Sequence, residues 1–188
     1  MPAVTASDAA PPGAASRPIV LVGMMGSGKS TVGRRLAARL GRRFVDADKV
    51  LEERCGVPIA TIFELEGEDG FRRRETAILD ELSRLPEIVL ATGGGAVTRD
   101  ENRRILAERG LVIFLQASIT DLWQRLRRDR TRPLLQTANP RERIAELLAE
   151  REPQYREIAD IVAVSARQPV DDLVADIIDR LPEEFRAG

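Results

Sequence analysis

Ile19-Val20-Leu21-Val22-Gly23-Met24-Met25-Gly26-Ser27-Gly28-Lys29-Ser30-Thr31 runs from four apolar residues through three glycines to a lysine. Gly23 to Ser30 satisfy G-x-x-x-x-G-K-[ST], the pattern of a loop that cradles phosphates. The apolar run before it predicts a buried strand. Val32, Leu36 and Leu40, recurring every four residues, predict a helix after it. Glycine lets the backbone turn tightly and point its N–H groups at an anion. The N-terminus of the following helix adds the positive end of its dipole. Lys29 is expected to reach the β- and γ-phosphates, and Ser30 to offer its hydroxyl to Mg²⁺. Gly26, Ser27 and Gly28 supply the backbone of the loop. Such a loop implies a nucleotide phosphate; it does not by itself distinguish a kinase from other users of nucleotides.

Composition narrows the chemistry. The chain has 188 residues and 43% hydrophobic content, enough for one domain with a sizeable core. Its net charge is −1, so no global field draws it to nucleic acid or an anionic membrane. There is no histidine, which excludes Ser-His-Asp and Cys-His catalysis and leaves proton transfer to a carboxylate. The one cysteine, Cys55, allows no intrachain disulfide. Of the 29 basic residues only Lys29 and Lys49 are lysines. A lysine in so arginine-rich a chain hints that a compact point charge is wanted there.

No apolar run reaches the roughly 18 residues of a membrane span. Residues 1–18 are rich in Ala, Pro and Ser and lack the basic and apolar regions of a secretory signal. They are expected to form a disordered tail before a single domain over 19–188.

Further strands are expected at Phe44–Asp46, Ile88–Thr92, Leu111–Leu115 and Ile161–Val164, each nearly continuously apolar. Helical stripes lie between them. Phe71, Ile78, Leu82 and Leu85 form one, and Ile119, Leu122, Trp123 and Leu126 another. Val170, Leu173, Val174, Ile177, Ile178 and Leu181 form the cleanest. Core packing accounts for all of them, Trp123 included. Strands alternating with helices imply an α/β fold with a parallel sheet covered on both faces. Asp129–Pro140 breaks the alternation and reads as a long functional loop.

Several residues then fall where chemistry is possible. The second strand ends in Asp46-Ala47-Asp48, and ligands of parallel sheets lie beyond the carboxyl ends of the strands. In extended chain, i and i+2 side chains point the same way, so one aspartate would approach Mg²⁺ and the other an acceptor hydroxyl. Equally, Asp48 would cap a helix starting near Lys49. Thr92-Gly93-Gly94-Gly95 leaves bare backbone where a ligand can approach, or is merely a flexible connection. Arg72 and Glu75, on a helix starting near Gly70, are i, i+3 neighbours and form either a held arginine or an ordinary surface pair. Arg125, Arg127, Arg128, Arg130 and Arg132 read as a solvated helix end, an RNA patch or a lid. Asp121, Asp129 and the scarcity of aromatics weigh against RNA, and Arg132 before Pro133-Leu134-Leu135 favours the lid.

Together these residues resemble the shikimate kinases from about Ile19 to Leu181. The resemblance rests on Lys29-Ser30-Thr31, Asp46-x-Asp48 and Ile62-Phe63-x-x-x-Gly67-Glu68-x-x-Phe71-Arg72-x-x-Glu75. It continues through Gly93-Gly94-Gly95, Arg132-Pro133-Leu134-Leu135 and Tyr155-Arg156. It implies a three-layer α/β/α sandwich around a five-stranded parallel sheet of order 2-3-1-4-5, with a mobile lid at about 129–140 and an acceptor region at about 47–80. The implied activity is transfer of the ATP γ-phosphate to the 3-hydroxyl of shikimate, by a cytoplasmic monomer needing Mg²⁺ and binding neither nucleic acid nor membrane. By the same resemblance, Asp48 holds shikimate hydroxyls and accepts a proton, and Arg72 and Arg156 grip the shikimate carboxylate. Glu75 positions Arg72, while Gly93, Gly94, Gly95, Phe63 and Phe71 line the pocket. Asp46 meets Mg²⁺ through water, Thr31 belongs to the ATP loop, and Arg132 closes over the phosphates. Arg125 and Pro169 flank adenine. A related kinase for another acceptor such as gluconate fits the two-arginine grip poorly. A nucleotide switch would show a hydrophobic strand ending in a Walker-B aspartate, whereas Ile88–Thr92 ends in glycines, and it would show an Asn-Lys-x-Asp, of which none is found.

Overall fold

The computed structural model describes residues 17–129, 135–165 and 168–186. Five strands form one parallel sheet: β1 (Ile19–Val22), β2 (Arg43–Asp46), β3 (Ile88–Ala91), β4 (Leu111–Gln116) and β5 (Ile161–Val164). Their order is β2-β3-β1-β4-β5, as the resemblance implied. The central strand β1 registers Val20 with Leu90 on one side and with Val112 on the other.

Helices cover both faces because the strands are apolar on both faces. Side chains alternate across a strand, so β1 divides its residues between two cores. Ile19 and Leu21 pack with α1 (Lys29–Arg39) and α7 (Val170–Arg180), through Leu36, Val174 and Ile177. Phe185 of the short α8 (Glu183–Arg186) joins the same core. Val20 and Val22 pack on the opposite face. That face is covered by α2 (Ala47–Cys55), α3 (Ile59–Leu82), α4 (Asp100–Arg109), α5 (Ile119–Leu126) and α6 (Pro140–Ile158). A short 3₁₀ turn, Ala96–Thr98, follows the glycines beyond β3.

Three local expectations are corrected. The helix expected near Gly70 begins at Ile59 and is interrupted at Gly67, whose φ of 68° and ψ of −178° break the helical path. A left-handed φ of this kind suits glycine, so the break lets one helical run change direction. Leu85 lies beyond the end of this helix yet still packs against the core. On α5, Leu122 and Leu126 are buried and Trp123 partly so, but Ile119 is exposed. Ile119, the first residue of that stripe, lines a surface groove with Trp123 and Pro140 instead of entering the core.

Leu36 is fully buried between α1 and the sheet, whereas Leu65 is 77% exposed. Leu36→Ala should cost about 2–5 kcal/mol of unfolding free energy. Leu65→Ala should stay within about 0.5 kcal/mol of wild type. Urea melts of the two variants check this, and similar losses at both positions would contradict the assigned packing.

Candidate active site

The carboxyl ends of the strands gather the functional side chains. Beyond β1 the loop closes on itself, with the Ser27 amide donating to the Met24 carbonyl at 3.1 Å. Gly28 caps α1 with a φ of 96° and no side-chain cap, so no side chain competes with an anion for the first amides of the helix. Lys29 is buried, and its Nζ donates to the carbonyls of Gly23 and Met24 at 2.7 and 2.8 Å. The ammonium is thus fixed inside the loop. Thr31 stands exposed in the first turn of α1.

Ser30 Oγ donates to Asp46 Oδ2 at 2.7 Å. The other carboxylate oxygen of Asp46 accepts from the Asp48 amide at 3.2 Å, so Asp46 caps α2. This corrects the expectation for the pair. Asp48 neither caps a helix nor continues the strand; it sits in the first turn of α2, which starts at Ala47. Both aspartates line one cavity, Asp46 bonded to Ser30 and Asp48 projecting from the first turn of α2.

That cavity has a volume of about 630 Å³, within the range of small-molecule sites. Ser30, Asp46 and Met25 form its phosphate-loop end, and Asp48, Lys49 and Glu52 come from α2. Ile59, Ala60, Phe63, Phe71, Arg72 and Glu75 come from α3, Gly93 to Gly95 from the end of β3, and Gln136 and Arg151 from the far side. The rings of Phe63 and Phe71 lie 4.6 Å apart, giving one wall an apolar face. Glu52 secures the α2–α3 junction by accepting from the Ile59 amide at 3.1 Å.

Arg72 and Glu75 are not a surface pair. Both are buried, and Arg72 Nη1 donates to Glu75 Oε2 at 2.7 Å. Arg72 Nη2 reaches Glu68 at 3.2 Å. Burial opposes the Arg72 charge, but Glu75 and Glu68 outweigh it and its pKa lies above the ordinary arginine value. Burial likewise pushes the Glu75 carboxyl up, with Asp48 adding to the rise and Arg72 and Arg151 opposing it.

Arg156 does not line the cavity. Its side chain is 46% exposed and is held by Glu152, with Nη2 at 2.8 Å. The cavity arginine on α6 is Arg151, which is 3% exposed, with no protein partner at Nε or Nη1. Sequence reasoning missed it, although a signal existed. Ile144, Leu147, Leu148, Arg151, Tyr155 and Ile158 are the buried residues of α6, so Arg151 lies on its apolar stripe and Arg156 off it.

Arg125 Nη1 donates to the Gly26 carbonyl at 2.9 Å and to Ser165 Oγ at 3.2 Å, tying the phosphate loop to the end of β5. Pro169 is exposed and stands at the N-cap position of α7. Arg132, with the rest of residues 130–134 of the expected lid, lies outside the described residues, as do residues 1–16 of the expected tail.

Comparison with known proteins gives concordant results. A family model described as shikimate kinase matches residues 25–182. A shikimate kinase of Nitrosospira multiformis is 51% identical over 100% of this chain and 96% of its own. One from Bordetella avium is 53% identical, covering 87% of this chain and 78% of that protein. The solved shikimate kinase from Acinetobacter baumannii in complex with shikimate superposes with a TM-score of 0.85 at 45% identity, covering 89% of this chain and 96% of its own.

Arg72→Ala would remove the guanidinium that opposes the upward shift of Glu75, driving that carboxyl further up. A carboxyl whose folded-state pKa exceeds its unfolded one stabilises only while protonated, and this contribution is lost as pH rises through the folded value. The stability deficit of Arg72→Ala should therefore widen between about pH 5 and about pH 8. It should approach the ~3–5 kcal/mol typical of breaking a buried pair. Denaturant melts at both pH values test this, and the widening should vanish in Arg72→Ala/Glu75→Gln.

Proposed function

The chain belongs to the shikimate kinase family, and we propose a division of labour among its residues for transferring the γ-phosphate of ATP to the 3-hydroxyl of shikimate. The observation that carries this reading is one cavity holding the phosphate-loop residue Ser30 at one end and two buried arginines, Arg72 and Arg151, elsewhere in its wall. A small acceptor with a carboxylate and hydroxyls matches such a wall. Guanidinium groups suit a carboxylate because their planar forks bind it in two-pronged fashion.

Shikimate would place its carboxylate against Arg72 and Arg151, and Arg151 takes the role that the resemblance implied for Arg156. Glu75 holds Arg72 from behind. Asp48 would accept a hydrogen bond from the attacking hydroxyl and aim it at the phosphate. Gly93, Gly94 and Gly95 form a wall close to the ring, with Phe63 and Phe71 covering its apolar edge. Phosphoryl transfer passes through a loose transition state, so positioning and charge matter more than a strong base. On that ground Asp48 acts chiefly by orientation.

On the nucleotide side, the amides of Gly26 to Ser30 and the Lys29 ammonium would hold the phosphates, with Thr31 beside them in the first turn of α1. Arg125 and Pro169 stand on the β5–α7 side of the loop, where adenine would lie, and closure over the phosphates is assigned to Arg132. The Ser30 hydroxyl and Asp46 carboxylate are hard oxygen donors in contact, a set that fits Mg²⁺. Mg²⁺ there would neutralise charge on the transferring phosphate. Asp46 would meet it through water, and among the described residues no cluster of three metal-ligating side chains competes for it.

Use of ATP fits the cytoplasm, and no described helix is long and apolar enough to cross a membrane. One chain supplies the whole cavity, which fits a monomer. The net charge of −1 gives nucleic acid no broad attraction.

ADP release from Mg-ATP should rise strongly with shikimate and not with gluconate; stimulation by gluconate alone would overturn the acceptor assignment. Lys29→Ala should lower kcat by about 10²–10³-fold or more with the fold intact. Asp48→Asn should lower kcat by about 10²-fold or more. Arg151→Ala should raise the KM for shikimate by about 10–100-fold, the worth of a charge-assisted hydrogen bond. Arg156→Ala should stay within about threefold of wild type, as exposed pairs contribute little. The reverse order would restore the grip to Arg156.

A further inference from the structure

We propose that Tyr155 is a positioning residue for the acceptor, its single buried hydroxyl fixing the glycine wall and the Arg151 guanidinium relative to each other. The inference rests on the shikimate reading above and deepens it.

Packing alone does not call for a hydroxyl at this position. Tyr155 is fully buried on α6, and its ring stacks on Phe114 of β4 with centroids 5.0 Å apart. A phenylalanine would make the same stack. The hydroxyl instead donates to the carbonyl of Gly94, the middle residue of the cavity's glycine wall. Burial pushes the phenol well above its ordinary pKa, so it stays a donor at any working pH.

The carbonyl it holds belongs to a strip that is pinned throughout. The Gly93 carbonyl accepts from the Ala96 amide at 3.1 Å, and that of Gly95 from Thr98 Oγ1 at 2.7 Å. The Ala96 carbonyl accepts from Asn102 Nδ2 at 2.8 Å, and that of Val97 from Arg103 Nη1 at 2.7 Å. Each of these pins comes from the segment that follows β3, except the phenol, which comes from α6. The Gly94 carbonyl and the Gly95 N–H are the two ends of one planar trans peptide and point in opposite directions. Holding the carbonyl toward α6 therefore directs the Gly95 N–H away from it.

The same hydroxyl faces the arginine. Arg151 precedes Tyr155 by one helical turn, so the two side chains share a face of α6. The hydroxyl's one proton is committed to Gly94, which leaves its lone pairs for other contacts. The Arg151 guanidinium lies close enough to oppose the upward shift of the phenol. A negative lone-pair face beside that cation restrains it and leaves its Nε and Nη1, which have no protein partner, for a carboxylate. Phe at this position would keep the packing and lose both restraints.

The test compares wild type, Tyr155→Phe, Arg151→Ala and the double variant. Tyr155→Phe should raise the KM for shikimate about tenfold, the worth of one hydrogen bond, with the KM for ATP within about twofold. In the Arg151→Ala background the further effect of Tyr155→Phe should shrink to less than half of its effect in wild type, because part of it acts through that guanidinium. Equal changes in both KM values, a lowered melting temperature with unchanged kinetics, or fully additive effects would each reduce Tyr155 to a structural residue and overturn the proposal. Tyr155 is the one tyrosine of the chain, so fluorotyrosine labelling gives a single fluorine resonance. That resonance should shift when shikimate is added and lose most of the shift in Arg151→Ala; indifference to shikimate overturns the proposal even if Tyr155→Phe fails to fold. If wild type itself shows no shikimate-dependent ADP release, the acceptor reading has failed and not the role of Tyr155 within it.

Discussion

Three residues without side chains, Gly93 to Gly95, hold the two halves of the site in register. A β-carbon on Gly95 would fall 2.2 Å from Arg72 Nη2. One on Gly93 would fall 2.7 Å from Glu75 Oε1 and 2.9 Å from Asp48 Oδ1, and one on Gly94 would fall 3.0 Å from the Met25 amide. Arg72, Glu75 and Asp48 on one side and the phosphate loop on the other are thus packed against one bare strip of backbone. No flexible side chain lies between them. Transfer between two bound molecules is sensitive to small misplacement, and a shared rigid spacer answers that sensitivity directly.

The strip also explains how a chain of net charge −1 handles two anionic substrates. Attraction is local and built from fixed groups. Lys29 is anchored by two loop carbonyls, and Arg72 by Glu75 and Glu68. Burying Arg72 with Glu75 carries a desolvation cost that a pair of apolar residues would avoid. Such a pair is weak evidence for stability, but it does hold the Arg72 guanidinium in one place. The fixed position here lies beside the space that Asp48 faces.

Much of this was legible in the sequence, for identifiable reasons. Buried parallel strands are continuously apolar, so Ile19–Val22 and Ile161–Val164 announced themselves, and the phosphate loop has a pattern that few other structures need. The strand order was another matter: it came from the resemblance, because periodicity says nothing of which strand lies beside which. Asp48 was misplaced because one residue decides whether the chain is still extended, and α2 starts at Ala47, earlier than its apolar residues reveal. Arg156 came from the Tyr155-Arg156 motif of the resemblance, and Arg151 was not singled out because charge alone does not rank the arginines of α6. Helical phase does: Arg151 falls on the stripe of Ile144, Leu147, Leu148 and Ile158, and Arg156 falls off it.

An arginine on an apolar stripe conflicts with the rule that shapes the rest of the helix. Leucine at 151 would fill the same face without leaving two nitrogens unpartnered, and burying such donors costs stability. Arg72 is placed in the same way, on a helix whose neighbouring positions carry Phe71 and Ile78 into the core. In both places folding brings a cation to a site that protein groups satisfy only in part. On the proposed reading the missing partner would be the carboxylate that arrives with the acceptor. A ligand that binds only the folded state adds its binding free energy to the stability of that state. On that reading, stability withheld from the fold at these two positions would be returned as affinity for the acceptor, and the helix stripes would record where the chain has made that exchange.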